Sequence, residues 1–434
     1  MKRNMRKLLI LGFLVLSLLA GSFAGAENGF VIPPELTVIA ESTFENVPLQ
    51  DAKVELPEKV RRIEAKAFAG TGLKTLRLGT GITYIADNAF DGCPSFRPEV
   101  YPDSYAAEWC ASHGVTPCLI VRPEVTAHTA AQIRSFVGSH PVEFDSVTQY
   151  RKNPTGGEYG GSIYDYGLIA DASMTNGLNM VNIIRYVAGL NADVVNASDM
   201  EDELAASALV NALNKSISHS PARPDALSDS RYDELYAKAR TGGGSSNLFM
   251  GPRNLADSVL GYMDDSDSSN IDRVGHRRWI LNPKMGKTTF GFCHSTQTYT
   301  YEWGSYTYNA YYSGLYAFDS SGSGNQKMVA WPAQQTPVSY FRANSAWSVS
   351  YGTSLNMDLI SVTLVREQDG AVWNFSSAAA DGFFNVDNGG YGQTGCVIFR
   401  PQGLSVSAGD SFRVSIRDDG HNTLLEYRVV FFSL

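Results

Sequence analysis

Cysteine is scarce in this chain. Five in 434 residues cannot make the disulfide scaffold of a small secreted domain. Cys93, Cys110 and Cys118 lie close in sequence, so one bridge is open to them, while Cys293 and Cys396 stand alone. The plainer reading makes all five small buried apolar residues, and none has zinc-knuckle spacing. A basic run is also missing. Lys and Arg number 35 against 44 Asp and Glu, a formal charge of −9, which argues against nucleic acid and anionic membrane as partners. With 18% charged and 11% aromatic residues, the composition excludes a disordered chain. After residue 20 no apolar run is long enough to span a bilayer.

What is present starts with an export signal. Lys2, Arg3, Arg6 and Lys7 precede an apolar run from Leu8 to Ala20, and Ala24-Gly25-Ala26 offers the small residues a signal peptidase reads. Cleavage after Ala26 is expected. It removes four basic residues and no acidic one, taking the charge from −9 to about −13. The remaining length suits two to four domains. An internal repeat follows: Ile63…Phe68-Ala-Gly70 recurs 22 residues later as Ile85…Phe90-Asp-Gly92, Leu56 matches Leu78, and an earlier copy holds Ile39 and Phe44. Fixed apolar positions at this period predict a short leucine-rich solenoid, each unit burying its face against its neighbours. The pattern resembles the BspA-like leucine-rich repeats of bacterial surface proteins, here over 27–120, with a helical end at Asp103–Gly114. A connector with one helix, Thr126–Phe136, is expected over 121–170; His128 and His140 read there as ordinary surface histidines.

Helical periodicity begins near residue 170. Met180, Ile183, Ile184 and Val187 mark one buried face, with Gly189 as its stop. Ser198-x-x-Glu201 predicts a capping box opening a second helix through Leu213, and His219 follows that helix. A third helix buries Leu255, Val259, Tyr262 and Met263 behind the cap Asn254. The run Thr241-Gly-Gly-Gly-Ser-Ser-Asn247-Leu248 reads as a flexible turn leading to a strand. Val274-Gly-His276-Arg-Arg-Trp-Ile-Leu-Asn-Pro283 comes next, then a strand holding Thr289-Phe-Gly-Phe292.

Taken together, Asn182-x-x-Arg185, Ser218-His219-Ser220, Tyr262-Met-Asp-Asp265 and Gly275-His276-Arg277 resemble the motifs of the CAP (SCP) superfamily, the cysteine-rich secretory, antigen 5 and pathogenesis-related group. The resemblance covers 171–335 and implies an α-β-α sandwich with two histidines and two acidic residues in a central cleft. Here His219 and His276 match the histidines and Asp265 one acid, while Ser246 stands where the family has glutamate, before Asn247. The cleft candidates are therefore His219, His276, Asp265, Ser246 and Asn247. Two imidazoles and a carboxylate are a ligand set for Zn²⁺ or another divalent metal with an open position, making His219, His276 and Asp265 the metal candidates. The missing glutamate removes the general base that a metal-assisted hydrolase of peptide or cell-wall substrates would use. A Ser-His hydrolase using Ser246 or Ser220 lacks a nucleophile elbow.

Residues 299–312 are rich in tyrosine, with Trp303 among them. They read as a β-hairpin with aromatic cross-strand pairs, the alternative being a carbohydrate-stacking surface. Beyond residue 336, alternation at Ile360, Val362, Leu364 and at Tyr427, Val429, Phe431, with turns at Asp369-Gly370 and Asp419-Gly420, predicts a β-sandwich over 336–434. The expected architecture is multidomain α+β: solenoid, CAP-type sandwich, all-β sandwich. The expected role is secreted or cell-surface recognition of an extracellular ligand (lipid, peptide, glycan or host protein) through a His-lined cleft. A hydrolase and a structural adhesin are the alternatives.

Overall fold

The computed structural model describes residues 30–50, 52, 54–121, 128–342 and 344–434. The expected signal peptide, 1–26, lies outside the described residues, as do Thr126 and Ala127 of the expected connector helix. The chain is mixed α+β and divides into two compact units. One runs to Arg122 and includes Arg417–Glu426; the other holds Pro123–Ile416 and Tyr427–Leu434.

In the first unit the repeat becomes geometry. Strands β1 (Val38–Ile39), β2 (Arg62–Ile63) and β3 (Tyr84–Ile85) pair in parallel with Ile39, Ile63 and Ile85 in register, and all three isoleucines are buried. Phe44, Phe68 and Phe90 stack coil on coil with ring centroids 5.1 and 5.5 Å apart. Each such ring is worth about 1.5–3 kcal/mol when taken from water, so the period of 22 is the spacing that keeps one apolar column continuous. Backbone bonds tie the coils: Phe44 N–H donates to Ala67 O and Phe68 N–H to Ala89 O. The helix Tyr105–Ser112 (α1), capped by Ser104, buries Trp109 and Cys110 at the end of this core. The strand Cys118–Val121 pairs in parallel with Thr423–Leu425, and Glu99 accepts from both Arg77 and Arg417. Near-C-terminal sequence thus completes the first unit, which no local pattern announces.

The second unit starts with α2 (Ala130–Ser139), opened by the Thr129/Gln132 capping box. His128 stacks on Tyr186 and His140 on Phe136, which accounts for both rings. Helix α3 (Asp171–Val187) ends where Gly189 adopts φ +72°. Helix α4 (Glu201–Asn214) has no side-chain cap. The expected Ser198–Glu201 capping box does not form, because Glu201 accepts instead from Asn196 and Arg151. Helix α5 (Asp233–Gly244) corrects a second expectation: Gly242-Gly243-Gly244 is the helix's last turn and not a flexible turn. A Cβ on Gly242 would lie 2.0 Å from Glu203 O, so glycine lets α5 approach the α4 backbone.

Strands β4 (Ser246–Met250), β5 (Phe290–Tyr301) and β6 (Gly304–Tyr316) form an antiparallel sheet with β6 central. Helix α4 lies against one face, where a Cβ on Gly291 would meet Leu204 O at 1.9 Å. Helix α6 (Leu255–Asp264) lies on the other, with Tyr262 OH 3.0 Å from Ser313 Oγ. The short helix α7 is Gly275–Ile280.

Toward the C-terminus two β-sheets face each other. One orders the strands Val329–Trp331, Trp347–Ser350, Cys396–Pro401 and Gly382–Asp387; in the other, Ile360–Arg366 lies between Val372–Ser376 and the strand beginning at Ser411. Trp347 of the first packs on Phe412 and Phe431 of the second, centroids 5.4 and 6.1 Å apart. All five cysteines are buried free thiols, so the open bridge does not form. Burial pushes the Cys110 thiol up to about 11 and that of Cys293 to about 12, leaving both inert near neutral pH. Among the described residues no helix is long and apolar enough to cross a membrane.

Candidate functional site

The chain reverses sharply after α6. Asp265 sits at φ +46° and Val274 at φ +43°. A β-branched residue in the left-handed region is strained, and Val274, fully buried, immediately precedes α7. Such strain is found where a side chain must be held in one place. His276 lies two residues on.

Asp265 is the group that holds it. Its Oδ1 lies 2.7 Å from His276 Nδ1, and its Oδ2 accepts from Arg277 N–H at 3.0 Å. The carboxylate is almost fully buried while the imidazole is partly open. A carboxylate on Nδ1 fixes the ring's tautomer and directs Nε2 outward. Asn247 Nδ2 donates to His276 O at 2.9 Å, pinning the same residue from β4. The Tyr262 ring lies 5.8 Å from the imidazole.

His219 is exposed on the segment after α4, and its Nδ1 lies 2.9 Å from Gly243 O. That contact also points Nε2 away from the backbone. The His219 ring is thus held at Gly243 O and the His276 backbone at Asn247, two positions four residues apart across the junction of α5 and β4. The role of Gly243 as an anchor had no sequence signal beyond the glycine run.

Asp265 places one oxygen on His276 and the other on Arg277 N–H, the position of a group that orients an imidazole. Among the described residues no three His, Cys, Asp or Glu side chains are grouped to hold a metal ion. His219, His276 and Asp265, the expected metal candidates, are not such a group. Ser246 takes the opposite side of the sheet from Asn247. Successive strand residues face opposite ways: Asn247 reaches α7, whereas Ser246 Oγ lies beside Gly314 and Leu204, on the α4 side. It is buried with no hydrogen-bond partner and cannot serve as nucleophile to His276.

The motif arginines, which sequence reading treated only as landmarks, are structural ties. Arg277 is fully buried and donates to Met263 O, Asp264 O, Ala346 O and Ser348 Oγ. Arg278 reaches Asp387, Gly389 O and Gln393 O, so α7 is locked to the C-terminal strands. Arg185 fixes the other end of α7 by donating to Ile280 O at 2.9 Å, and also to Asn191 O, Asn282 O and Met285 O. Asn182 exchanges two bonds with the Val194 backbone. The Asn-x-x-Arg spacing is therefore a pair of backbone clamps, one helical turn apart.

Comparison with known proteins bears on the first unit. No curated protein matches the chain. Residues 22–105 match the BspA type leucine rich repeat region, in six copies.

Proposed function

We propose that this is an extracellular recognition protein in which BspA-type repeats precede a CAP-like domain that binds a small ligand, lipid or peptide beside His219 and His276. The observation that carries the reading is the buried Asp265 holding His276 Nδ1 at 2.7 Å, with Nε2 left to a ligand. Helices on both faces of the β4–β6–β5 sheet, and the order of the two histidine motifs, support the CAP-like assignment. The hydrolase alternative has less support, since no three metal-ligating side chains are grouped among the described residues and Ser246 Oγ lies on the α4 side of the sheet. Fold resemblance supplies part of this argument, and fold alone does not specify function.

Trp279 lies on α7 itself and reports on the site by fluorescence. The test titrates palmitate, a sterol and a hydrophobic peptide library into the exported chain, with native mass spectrometry alongside. Saturable binding weakened at least 10-fold in His219→Ala/His276→Ala is expected. Binding untouched by that variant, but lost on deleting residues 30–121 and 417–426, would move recognition to the repeats.

A further inference from the structure

Strand β4 pairs with β6 only as far as Met250, opposite Tyr312. Beyond that point β5 and β6 continue as a two-stranded ribbon to the turn at Tyr301–Gly304. Directly opposed residues share a face of an antiparallel ribbon. One face therefore carries Gln297 with Tyr308, Tyr299 with Tyr306, and Tyr301 with Gly304; the other carries Thr296 with Asn309, Thr298 with Thr307, and Thr300 with Ser305. The second face satisfies itself through hydroxyl pairs, Thr298 Oγ1 to Thr307 Oγ1 at 2.8 Å and Thr300 Oγ1 to Ser305 Oγ at 3.1 Å.

The first face does not close on itself. Tyr299 is 48% exposed, Tyr301 49%, Tyr306 61% and Trp303, in the turn, 82%. Tyr301 and Trp303 lie parallel within 4° at 4.8 Å, and Tyr299 and Tyr308 within 8° at 5.9 Å. A two-stranded ribbon is marginal in water, and mutual ring contact holds this one while leaving the outer indole surface and several ring edges open.

The chemistry of the face selects its occupant. Residues 295–309 contain no Val, Ile, Leu, Met, Lys or Arg, and Glu302 is their single charge. Anionic membranes and nucleic acids are recognised by Lys and Arg, and protein interfaces add Met and Arg to their aromatics. A face whose exposed rings are all tyrosine and tryptophan offers rigid apolar surface edged with hydroxyl and N–H groups. A pyranose ring is its complement, with C–H groups on its faces and hydroxyls around its rim. We infer that the aromatic face of this hairpin, centred on Tyr299, Tyr301, Trp303 and Tyr306, is a binding site for a neutral polysaccharide chain, separate from the histidine site.

The test is co-sedimentation of the full chain with cellulose, chitin and mannan, repeated with Trp303→Ala/Tyr306→Ala and with His276→Ala. Binding to at least one polysaccharide, weakened 10-fold or more by the hairpin variant and unchanged by His276→Ala, is the expected result. The milder Trp303→Gln, in the turn, guards against a hairpin that fails to form and should still weaken binding several-fold. No binding to any of the three, or binding that survives both hairpin variants, overturns the inference. So would concentration-dependent dimerisation abolished by Trp303→Ala/Tyr306→Ala, which would make a second copy of the chain the occupant. Because His276→Ala is read in parallel, failure here and failure of the histidine site are distinguishable.

Discussion

Replacing Arg185 by Met should uncouple α7, and His276 with it, from α3. The guanidinium makes four bonds, of 2.8, 2.9, 2.7 and 3.1 Å, all to backbone carbonyls and none to a carboxylate. A buried acceptor stripped of its donor costs about 1–3 kcal/mol, so four of them set a large gross loss. Against that, burial depresses the Arg185 pKa to about 10. At 1.36 kcal/mol per unit this is roughly 3 kcal/mol that methionine no longer has to meet. Methionine also keeps most of the apolar stem and helix propensity. The difference leaves about 1–9 kcal/mol, and a destabilisation of about 3–5 kcal/mol is expected, as when one partner of a buried ion pair is removed. Arg185→Lys, with a compact charge in place of the planar fork, should fall between. The assay is hydrogen exchange on peptides covering 276–288, which reads the opening of this part of the chain rather than of the whole. A loss under about 1 kcal/mol in Arg185→Met would refute the clamp, since the four carbonyls would then be finding other donors.

Three further outcomes are expected. Gly291→Ala should abolish soluble folded protein, because its Cβ would fall 1.9 Å from Leu204 O, whereas Gly79→Ala, with nothing within 4 Å, should leave the thermal midpoint unchanged in a melting curve. Asp265→Ala should release the His276 ring from one tautomer, visible in ¹⁵N imidazole spectra, and lower stability by about 2–3 kcal/mol through the unpaired Arg277 N–H; an unaltered ring spectrum would sink the orienting role. Burial acts to raise the Asp319 pKa, but N–H donors from Gly286, Lys287 and Ser321 outweigh it and the net direction is down. Its stabilising contribution is therefore present above the unfolded carboxylate range and is lost as pH falls through the lower folded value. In urea titrations Asp319→Ala should cost about 2–3 kcal/mol at pH 7, and the gap to wild type should narrow below pH 4.

The features legible in the sequence are those set by local spacing. The 22-residue offset forced Phe68 and Phe90 into one column, and apolar periodicity placed α3 and α6 with their stops at Gly189 and caps at Asn254. The tyrosine-rich run was enough for a hairpin with aromatic cross-strand pairs, while its register, Tyr299 opposite Tyr306, came from the folded chain. Motif reading grouped Asp265 with His276, and the two meet at 2.7 Å.

Tertiary structure decided which partners those residues meet. Whether Asp265 is a ligand or an orienter depends on where its two oxygens go, and that was fixed by a left-handed turn that brings Arg277 N–H and the imidazole to it together. The glycine run became a helix end because α4 passes within touching distance of Gly242. Ser246 faces away from His276 because strand register, a period-two property, assigned it to the α4 side. Residues 417–426 joined the first unit through a parallel pairing with sequence some 300 positions earlier. Sequence spacing determines which faces are apolar; only the folded chain determines which face meets which, since contacts between distant segments carry no local period.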